Sequence, residues 1–301
     1  AFFPELIFVQ PEAEIMKSRS LSGSAYIDFP VDQTAIYPDY RRNTVELGKI
    51  QATIDSVRND KDVSITSVWL KGFASPESPY KHNTELAIGR TAALKKHIGQ
   101  LYHFADSIIR TDYEPEDWAG LRRQVEQSNI NHRGEILALI DSDMEPDAKE
   151  AKIKRTYPEE YRFMLQHFYP ALRHTDYRID YNIRTFSEVE EIKRIMAEQP
   201  QKLSQNEFYL VAGKYEPGTD EFTDVFETAV RMFPNDEIAN LNAANAAIRR
   251  DDFETAHRYL DKAGDSAEAV YARGALAIRK KDYNTARRYL SKAKEMGFEK
   301  A

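Results

Sequence analysis

The feature that most constrains the fold is an internal repeat near the C-terminal end of the chain. The stretches DDFETAHRYLDKA (251–263) and KDYNTARRYLSKA (281–293) align position for position and begin thirty residues apart, and a diverged copy, DEFTDVFETAVRMFPND, occupies 220–236. Repeats of this length bury their apolar helix faces by stacking on neighbours. We therefore predict a stack of helical hairpins, in which Ala244 and Gly274 mark close helix crossings.

The sequence changes character near Phe186, because strand-like and helix-like segments alternate only before it. The predicted strands cover 23–40 (with an irregular loop), 62–73, 106–113 and 175–186, and the predicted helices cover 41–59, 82–103 and, with interruptions, 117–172. This β-α-β-α-β-(helical insert)-β order is typical of a sheet with helices packed against it. The apolar run Val68–Leu70 predicts a central strand covered on both faces.

We therefore predict an α+β fold with two domains. The first is an α/β domain at 1–186, with its helical insert at about 117–172, and the second is an all-α domain of helical hairpins at 187–301.

Composition argues against several classes of function. The chain has no cysteine, which removes disulfides, thiol catalysis, zinc ribbons and iron–sulfur clusters. Its net charge is -7 and neither half is conspicuously basic, so broad nucleic-acid binding is not expected. No apolar run approaches the roughly 18 residues of a membrane span.

The opening AFFPELIFVQ lacks a basic leader and is too short for a signal peptide. Because the chain begins at Ala1, we expect that a leader or an upstream domain has been removed.

One arginine stands on what is predicted to be an apolar helix stripe. On the helix that begins near Asn83, the residues Leu86, Arg90, Leu94 and Ile98 follow at four-residue spacing. A structural interpretation is that the Arg90 stem covers the sheet while its head reaches water. A functional interpretation is that its guanidinium clamps a carboxylate in a bidentate pair.

The turn before this helix, GFASPES (72–78), favours the functional interpretation. Gly72 is expected to permit a tight turn where the strand ends, and two following prolines bias the chain away from helix. A strand exit beside a helix of an open sheet forms a crevice that commonly binds small ligands. Ser75 would offer a hydroxyl there, and Glu77 a carboxylate.

This strand, turn and helix resemble the OmpA-like, peptidoglycan-binding domain. That family has a strand ending in a Gly-aromatic-Thr-Asp turn, then an asparagine, then Leu-Ser-x-x-Arg-Ala on a helix. Here Gly72 and Phe73 match the turn, Asn83 matches the asparagine, and Arg90 matches the helix arginine.

The resemblance implies a ligand. In the family, the turn aspartate and the helix arginine grip the diaminopimelate of the peptidoglycan stem peptide. In this chain Ser75 stands at the aspartate position, and its hydroxyl accepts a hydrogen bond from an ammonium but brings no charge. Glu77, two residues further, is the candidate substitute. The ligand-binding residues that the resemblance implies are Ser75, Glu77, Asn83 and Arg90.

The repeats resemble tetratricopeptide repeats, with small residues on the first helix and an alanine with bulky residues on the second. The OmpA-like resemblance covers 23–113 and resumes at 175–186. Together with the insert and the repeats, it is similar to envelope proteins of Bacteroides-type bacteria. It implies an OmpA-like sandwich followed by a tetratricopeptide-like domain in a periplasmic or outer-membrane-associated protein of the cell envelope.

The expected role is non-enzymatic, without a cofactor or metal. The protein would bind peptidoglycan or anchor an envelope assembly, while the repeats contact an envelope or surface protein. In one alternative, the OmpA-like fold has lost wall binding and the protein is only an assembly or adhesion scaffold. In another, it is a hydrolase that uses Glu77 or His82 near Arg90, although no activated nucleophile is evident.

Three other motifs have simpler interpretations. DSDMEPD (141–147) lacks the glycine and the final glutamate of a calcium loop. The seven histidines show no pairing typical of zinc sites. Tyr113 and Trp118 would either face a ligand or, more simply, flank a helix entry with Trp118 packed inward.

Overall fold

The computed structural model describes residues 3–301, and the chain divides into two compact units. The α/β unit comprises Ser18–Ile183, and the helical unit comprises Ala1–Lys17 together with Arg184–Ala301. The predicted boundary at 186 lies close to the second division, but the prediction assigned the first 17 residues to the α/β domain. The difference arises because side chains of the helical unit bind the backbone of this segment. Within the described residues, no helix combines the length and apolar character needed to cross a membrane.

The α/β unit has the element order that the sequence predicts. Its elements are β1 (Lys17–Ala25), α1 (Asn43–Arg58), β2 (Val63–Phe73), α2 (Tyr80–Tyr102), β3 (Ile109–Glu114), α3 (Trp118–Glu126), α4 (Arg133–Ile140), α5 (Pro146–Thr156), α6 (Pro158–His167), a 3-10 turn (Tyr169–Leu172) and β4 (Thr175–Ile183). The four strands form one mixed sheet in the order β1-β4-β2-β3. Strand β2 runs parallel to β3 and antiparallel to β4.

The main core lies between this sheet and helices α1 and α2. Val68 and Leu70 on β2 and Ile179 on β4 are fully buried, and α1 buries the apolar positions that its spacing predicts, Leu47, Ile50, Ile54 and Val57. The prediction that β2 is covered on both faces is wrong. Trp69 is only half-buried, and the Arg178 guanidinium lies 5.1 Å from the centre of its ring.

Strand β1 lies upstream of most of the stretch predicted for it, and residues 26–42 are largely irregular. It is an edge strand with alternating burial. Serine hydroxyls of β1 donate hydrogen bonds to polar side chains of β4: Ser18 to Asn182, Ser20 to Asp180 and Ser24 to Asp176.

The insert between β3 and β4 is helical, as predicted, and has a core of its own. Helices α3 to α6 and the 3-10 turn bury an apolar cluster that includes Leu121, Ile136, Met164 and Tyr169. Because this cluster is separate from the core beneath the sheet, the insert is a small helical layer rather than a long loop.

The helical unit consists of α7 (Val189–Glu198), α8 (Gln205–Ala212), α9 (Asp220–Met232), α10 (Glu237–Arg249), α11 (Phe253–Leu260), α12 (Ala267–Arg279) and α13 (Tyr283–Glu295). The repeated stretches form α11 and α13, and each begins in the same way. Asp252 and Asp282 accept a hydrogen bond from the backbone N–H of the third residue after them, which caps the helix.

Gly274 lies at a close helix crossing, as the repeat spacing predicts. A Cβ atom on Gly274 of α12 would lie 2.8 Å from the Leu290 side chain of α13. The aligned alanines Ala256 and Ala286 are buried. Small residues therefore let the paired helices approach each other.

Candidate functional site

A cavity of about 330 Å³ opens where β2 ends and α2 begins, which is the crevice that the sequence predicts. Three parts of the α/β unit line it: the loop after β1, the turn after β2 with the first turns of α2, and the residues just before β4. The predicted site residues Ser75, Glu77, Asn83 and Arg90 all lie in its wall. The structure therefore brings the four residues together.

Ser75 and Glu77 share a partner that the sequence did not indicate. Arg173 donates from Nε to the Ser75 hydroxyl over 3.1 Å and forms an ion pair with the Glu77 carboxylate. The sequence could have indicated Arg173 only through its position just before the predicted last strand. Gly72, near the end of β2, pairs with Thr175 at the start of β4, so the residues just before β4 face the turn after β2.

Arg90 is half-buried in the cavity wall and forms no salt bridge within residues 3–301. Its Nε donates to the backbone carbonyl of Gln33 over 3.2 Å, and its guanidinium carbon lies 4.8 Å from the centre of the Phe29 ring. Burial, and secondly the nearby Arg173 guanidinium, lower the pKa of Arg90. The Asp32 carboxylate offsets part of this lowering of the pKa, and an anion bound beside Arg90 would offset more of it.

Asn83 has a structural part in this arrangement. It is buried, and its Nδ2 donates to the Ser78 carbonyl over 2.7 Å and to the Glu116 carboxylate over 3.0 Å. Trp118 Nε1 donates to the other Glu116 oxygen over 2.7 Å. Both donors of the Asn83 amide are therefore used to hold the turn and the helix entry together, and Trp118 turns inward rather than towards a ligand.

The core-facing stripe of α2 differs from the predicted one. Ala87, Thr91, Leu94 and Ile98 are buried, whereas Leu86 and Arg90 are half-buried and line the cavity. The α-helical period of 3.6 residues turns a strict four-residue row away from the core within two turns. Arg90 therefore does not replace a core leucine.

Gly72 also has a different role from the predicted one. It lies within β2 rather than in a turn, and a Cβ atom at this position would lie 2.0 Å from the Thr91 hydroxyl oxygen. The glycine therefore lets α2 pack directly on the strand. This close packing fixes where the first half of α2, and with it Arg90, lies relative to the turn.

The two groups considered for hydrolysis are each held by a partner. Glu77 pairs with Arg173, and His82 Nε2 lies 2.9 Å from an Asp32 carboxylate oxygen. Asp141, from the acidic stretch 141–147, accepts a hydrogen bond from Arg122 over 2.8 Å. These contacts supply no nucleophile next to a base.

A histidine that the sequence did not single out, His174, lies immediately before β4. His174 stacks on Phe73 with ring centres 4.3 Å apart, and each of its ring nitrogens lies 3.1 Å from a carboxylate oxygen, of Asp117 and Asp176. Burial lowers the pKa of His174. Asp117 also caps α3 through the Gly120 N–H. These contacts of His174 with Phe73, Asp117 and Asp176 hold the end of β2 in position next to the cavity.

The cavity wall carries charges of both signs. Its lining includes the guanidiniums of Arg41, Arg90 and Arg173 and the carboxylates of Asp28, Asp32 and Glu77. Glu77 pairs with Arg173, Asp32 with His82 and Asp28 with Arg41, so Arg90 is the charged group of this lining that forms no ion pair within the described residues. A guanidinium in this setting binds a carboxylate in preference to a neutral group.

Neither the family models nor the curated proteins that were compared with this chain gave a match.

Proposed function

We propose that this is a non-enzymatic protein of the bacterial cell envelope, and that its α/β unit binds the stem peptide of peptidoglycan through a carboxylate in the Arg90 cavity. The observation that carries the proposal is the half-buried Arg90 guanidinium, which lines an open cavity and forms no salt bridge in residues 3–301. In the second part of the proposal, the helical unit binds an envelope or surface protein. Both placements, periplasmic and outer-membrane-associated, are compatible with this role.

The arrangement of the elements supports an OmpA-like interpretation of the α/β unit. Its strand–helix order, its mixed four-stranded sheet and the positions of Phe73, Asn83 and Arg90 agree with the motifs that suggest this family. The glycine-dependent helix crossing and the repeated caps of α11 and α13 support a tetratricopeptide-like interpretation of the helical unit. Both family assignments belong to the proposal.

The grip on the ligand would differ from the one implied by the resemblance. Ser75 stands in place of the aspartate, and Arg173 is bonded to it, so a second cation lies where an ammonium would be received. We infer that Arg90, which forms no ion pair in residues 3–301, receives a carboxylate of the stem peptide, whereas Arg173 beside Ser75 disfavours an ammonium at the turn. Binding should then weaken as salt rises, since a partly exposed ion pair is screened.

A second candidate is an assembly or adhesion scaffold that has lost wall binding. It is favoured by the contacts that saturate three of the four predicted site residues within the protein. Ser75 and Glu77 are bonded to Arg173, and Asn83 is bonded to Glu116. In that case the cavity would no longer bind peptidoglycan.

Co-sedimentation with purified peptidoglycan sacculi separates the two candidates. We expect the wild-type protein to sediment and Arg90→Ala to lower the bound fraction at least tenfold. Arg90→Lys should restore part of the binding, because a lysine ammonium keeps the charge but cannot form the two parallel hydrogen bonds of a guanidinium. Arg178→Ala is the matched control. Arg178 is on β4, where its guanidinium lies over the Trp69 ring of β2, and it does not line the cavity.

Two results would contradict wall binding at this site. If the wild-type protein stays in the supernatant at low salt, the scaffold interpretation replaces it. If Arg90→Ala sediments as well as Arg178→Ala does, the wall contact lies elsewhere on the protein.

A further inference from the structure

The first residues of the chain lie as an extended peptide on the helical unit. Residues 3–10 form neither helix nor strand, and Asn242 on α10 clamps their backbone at Val9. The Val9 N–H donates to Asn242 Oδ1 over 2.8 Å, and Asn242 Nδ2 donates to the Val9 carbonyl over 2.8 Å. One amide side chain therefore satisfies both backbone groups of one residue.

Two further side chains bind the backbone of the same segment. Asn245 Nδ2 donates to the Ile7 carbonyl over 2.8 Å, and the Tyr271 hydroxyl donates to the Glu5 carbonyl over 2.7 Å. The bound residues are therefore 5, 7 and 9, the alternation with which an extended strand presents its backbone to one side. These contacts recognise an extended backbone, whatever its side chains are.

Apolar side chains of the segment fill the remaining contacts. The Phe8 ring lies 4.9 Å from the rings of both Phe222 and Phe226. Leu6 and Val9 pack against the apolar cluster of α10 to α12. The groove, defined here by Asn242, Asn245 and Tyr271 with the two phenylalanines of α9, thus favours an apolar peptide.

The three polar groups indicate a binding surface rather than ordinary helix packing. Asn242, Asn245 and Tyr271 are 2 to 5% exposed with the segment in place. Burying an amide without a hydrogen-bond partner costs free energy of folding. An apolar residue at these positions would pack against a permanently bound segment without that cost. Their positions are explained by recognition of a peptide backbone.

The segment is joined to the rest of the chain by an exposed connection. Residues 12–16 are exposed throughout, Ile15 completely so, and Lys17 is then anchored in the helical unit by Glu207 over 2.9 Å. Release of residues 3–10 from the groove would therefore break their own contacts and leave the Lys17 anchor in place.

We propose that the groove is a binding site for an extended apolar peptide of a partner protein, and that residues 3–10 are a resident ligand that the partner displaces. This deepens the part of the proposed function that gives the helical unit a protein partner, and it rests on that part. Because the resident segment is tethered, its effective concentration is in the millimolar range, so the intact chain binds a free peptide weakly.

The test uses the full chain with a specific protease site placed at 12–16. After cleavage, a fluorescein-labelled peptide FPELIFVQ, which is the sequence of residues 3–10, is added and its anisotropy measured. We expect the cleaved protein to bind the peptide at least tenfold more tightly than the uncut protein. Asn242→Ala in the cleaved protein should weaken binding about tenfold, because two hydrogen bonds are lost.

Two controls isolate the groove. Asn240→Ala removes a buried asparagine of the same helix that bonds to Pro234 and Asp236 instead of the segment, and it should leave peptide affinity unchanged. A peptide methylated on the Val9 nitrogen lacks one donor and should bind more weakly to a protein that is itself unaltered.

Three results would overturn the proposal. They are a cleaved chain that unfolds, a cleaved chain that stays folded but admits no labelled peptide, and binding that is indifferent to both Asn242→Ala and the methylated peptide. Dimers formed by exchange of the segment would overturn the assignment to a partner protein. Sacculus binding through Arg90 is measured separately, so its failure and the failure of the groove are distinguishable.

Discussion

Arg173 donates a hydrogen bond from Nε to the Ser75 hydroxyl over 3.1 Å, and so places a guanidinium at the turn position where the OmpA-like pattern has a carboxylate. The contact joins the turn after β2 to the residue two positions before β4. At the position where a carboxylate would attract an ammonium, this turn therefore has a serine bonded to an arginine that is itself paired with Glu77.

Ser75→Asp is expected to weaken sacculus binding several-fold, because the new carboxylate would pair with Arg173 and reduce the positive charge of the cavity. Co-sedimentation at two salt concentrations measures this, with Ser56→Asp as the control for added charge, because Ser56 is exposed on α1 and does not line the cavity. Tighter binding of Ser75→Asp would instead indicate that the ligand presents an ammonium there.

Gly72→Ala is expected to destabilise the α/β unit by about 1–3 kcal/mol, because the added methyl would overlap the Thr91 hydroxyl. Urea unfolding measures the change, and Thr91→Ala in the same chain should recover part of the loss. Gly48→Ala on α1 is the control: its Cβ atom would have no neighbour within 4 Å, and we expect it to stabilise by about 0.5–1 kcal/mol. A neutral Gly72→Ala would contradict the close packing of α2 on β2.

Lys17→Met is expected to destabilise the helical unit by about 3–5 kcal/mol, because it leaves the buried Glu207 carboxylate without its cation. Lys17 and Glu207 are 1% and 2% exposed, and the charge cannot be solvated in place. Chemical denaturation measures the effect. The double variant Lys17→Met/Glu207→Gln should lose less than the single one. Lys49→Met, at a pair whose lysine is 44% exposed, should change stability by less than about 1 kcal/mol.

Glu150 in the insert should make stability fall as pH rises towards neutrality. Burial raises the pKa of Glu150 to about 7 from an ordinary 4.5, while the Tyr161 hydroxyl donates to its carboxylate. Below about pH 4.5 the folded and unfolded chains both hold the proton. Between 4.5 and 7 the unfolded chain releases it first, so the folded state loses stability progressively until about pH 7.

Glu150→Gln cannot ionise and should escape this loss. We expect the variant to equal the wild type near pH 4.5 and to exceed it by about 1–2 kcal/mol at pH 8, a figure reduced for solvent screening. Melting temperatures across this range test it, with the exposed Glu135→Gln as control. A constant difference at every pH would rule out titration of Glu150 as the cause.

The elements with regular apolar spacing could be predicted from the sequence, and those without it could not. Tyr177, Ile179 and Ile183 alternate and are buried on β4, where the sequence predicts a strand. Strand β1, KSRSLSGSA, is held at the sheet edge by serine hydroxyls, so its sequence carries little apolar signal.

The site was predictable in its location but not in its pairing. The Gly-aromatic turn and the helix arginine indicate the crevice, because both are local in sequence. Arg173 lies 98 residues from Ser75, and nothing in its own neighbourhood indicates the contact. The stretch NLNAANAAI is typical of close helix packing. Its Asn242 and Asn245 bind the backbone of Val9 and Ile7, 233 and 238 residues away, which no local pattern reveals.

The separation of 233 residues between Val9 and Asn242 also has a consequence for synthesis of the protein. The ribosome synthesises residues 3–10 before the α/β unit, and α10 emerges only after that entire unit. At the usual 5–20 residues per second, the apolar segment stays unpaired for about 10–50 s. During that interval it is open to chaperones or to other chains, and the groove can be filled only after α10 and α12 have been synthesised.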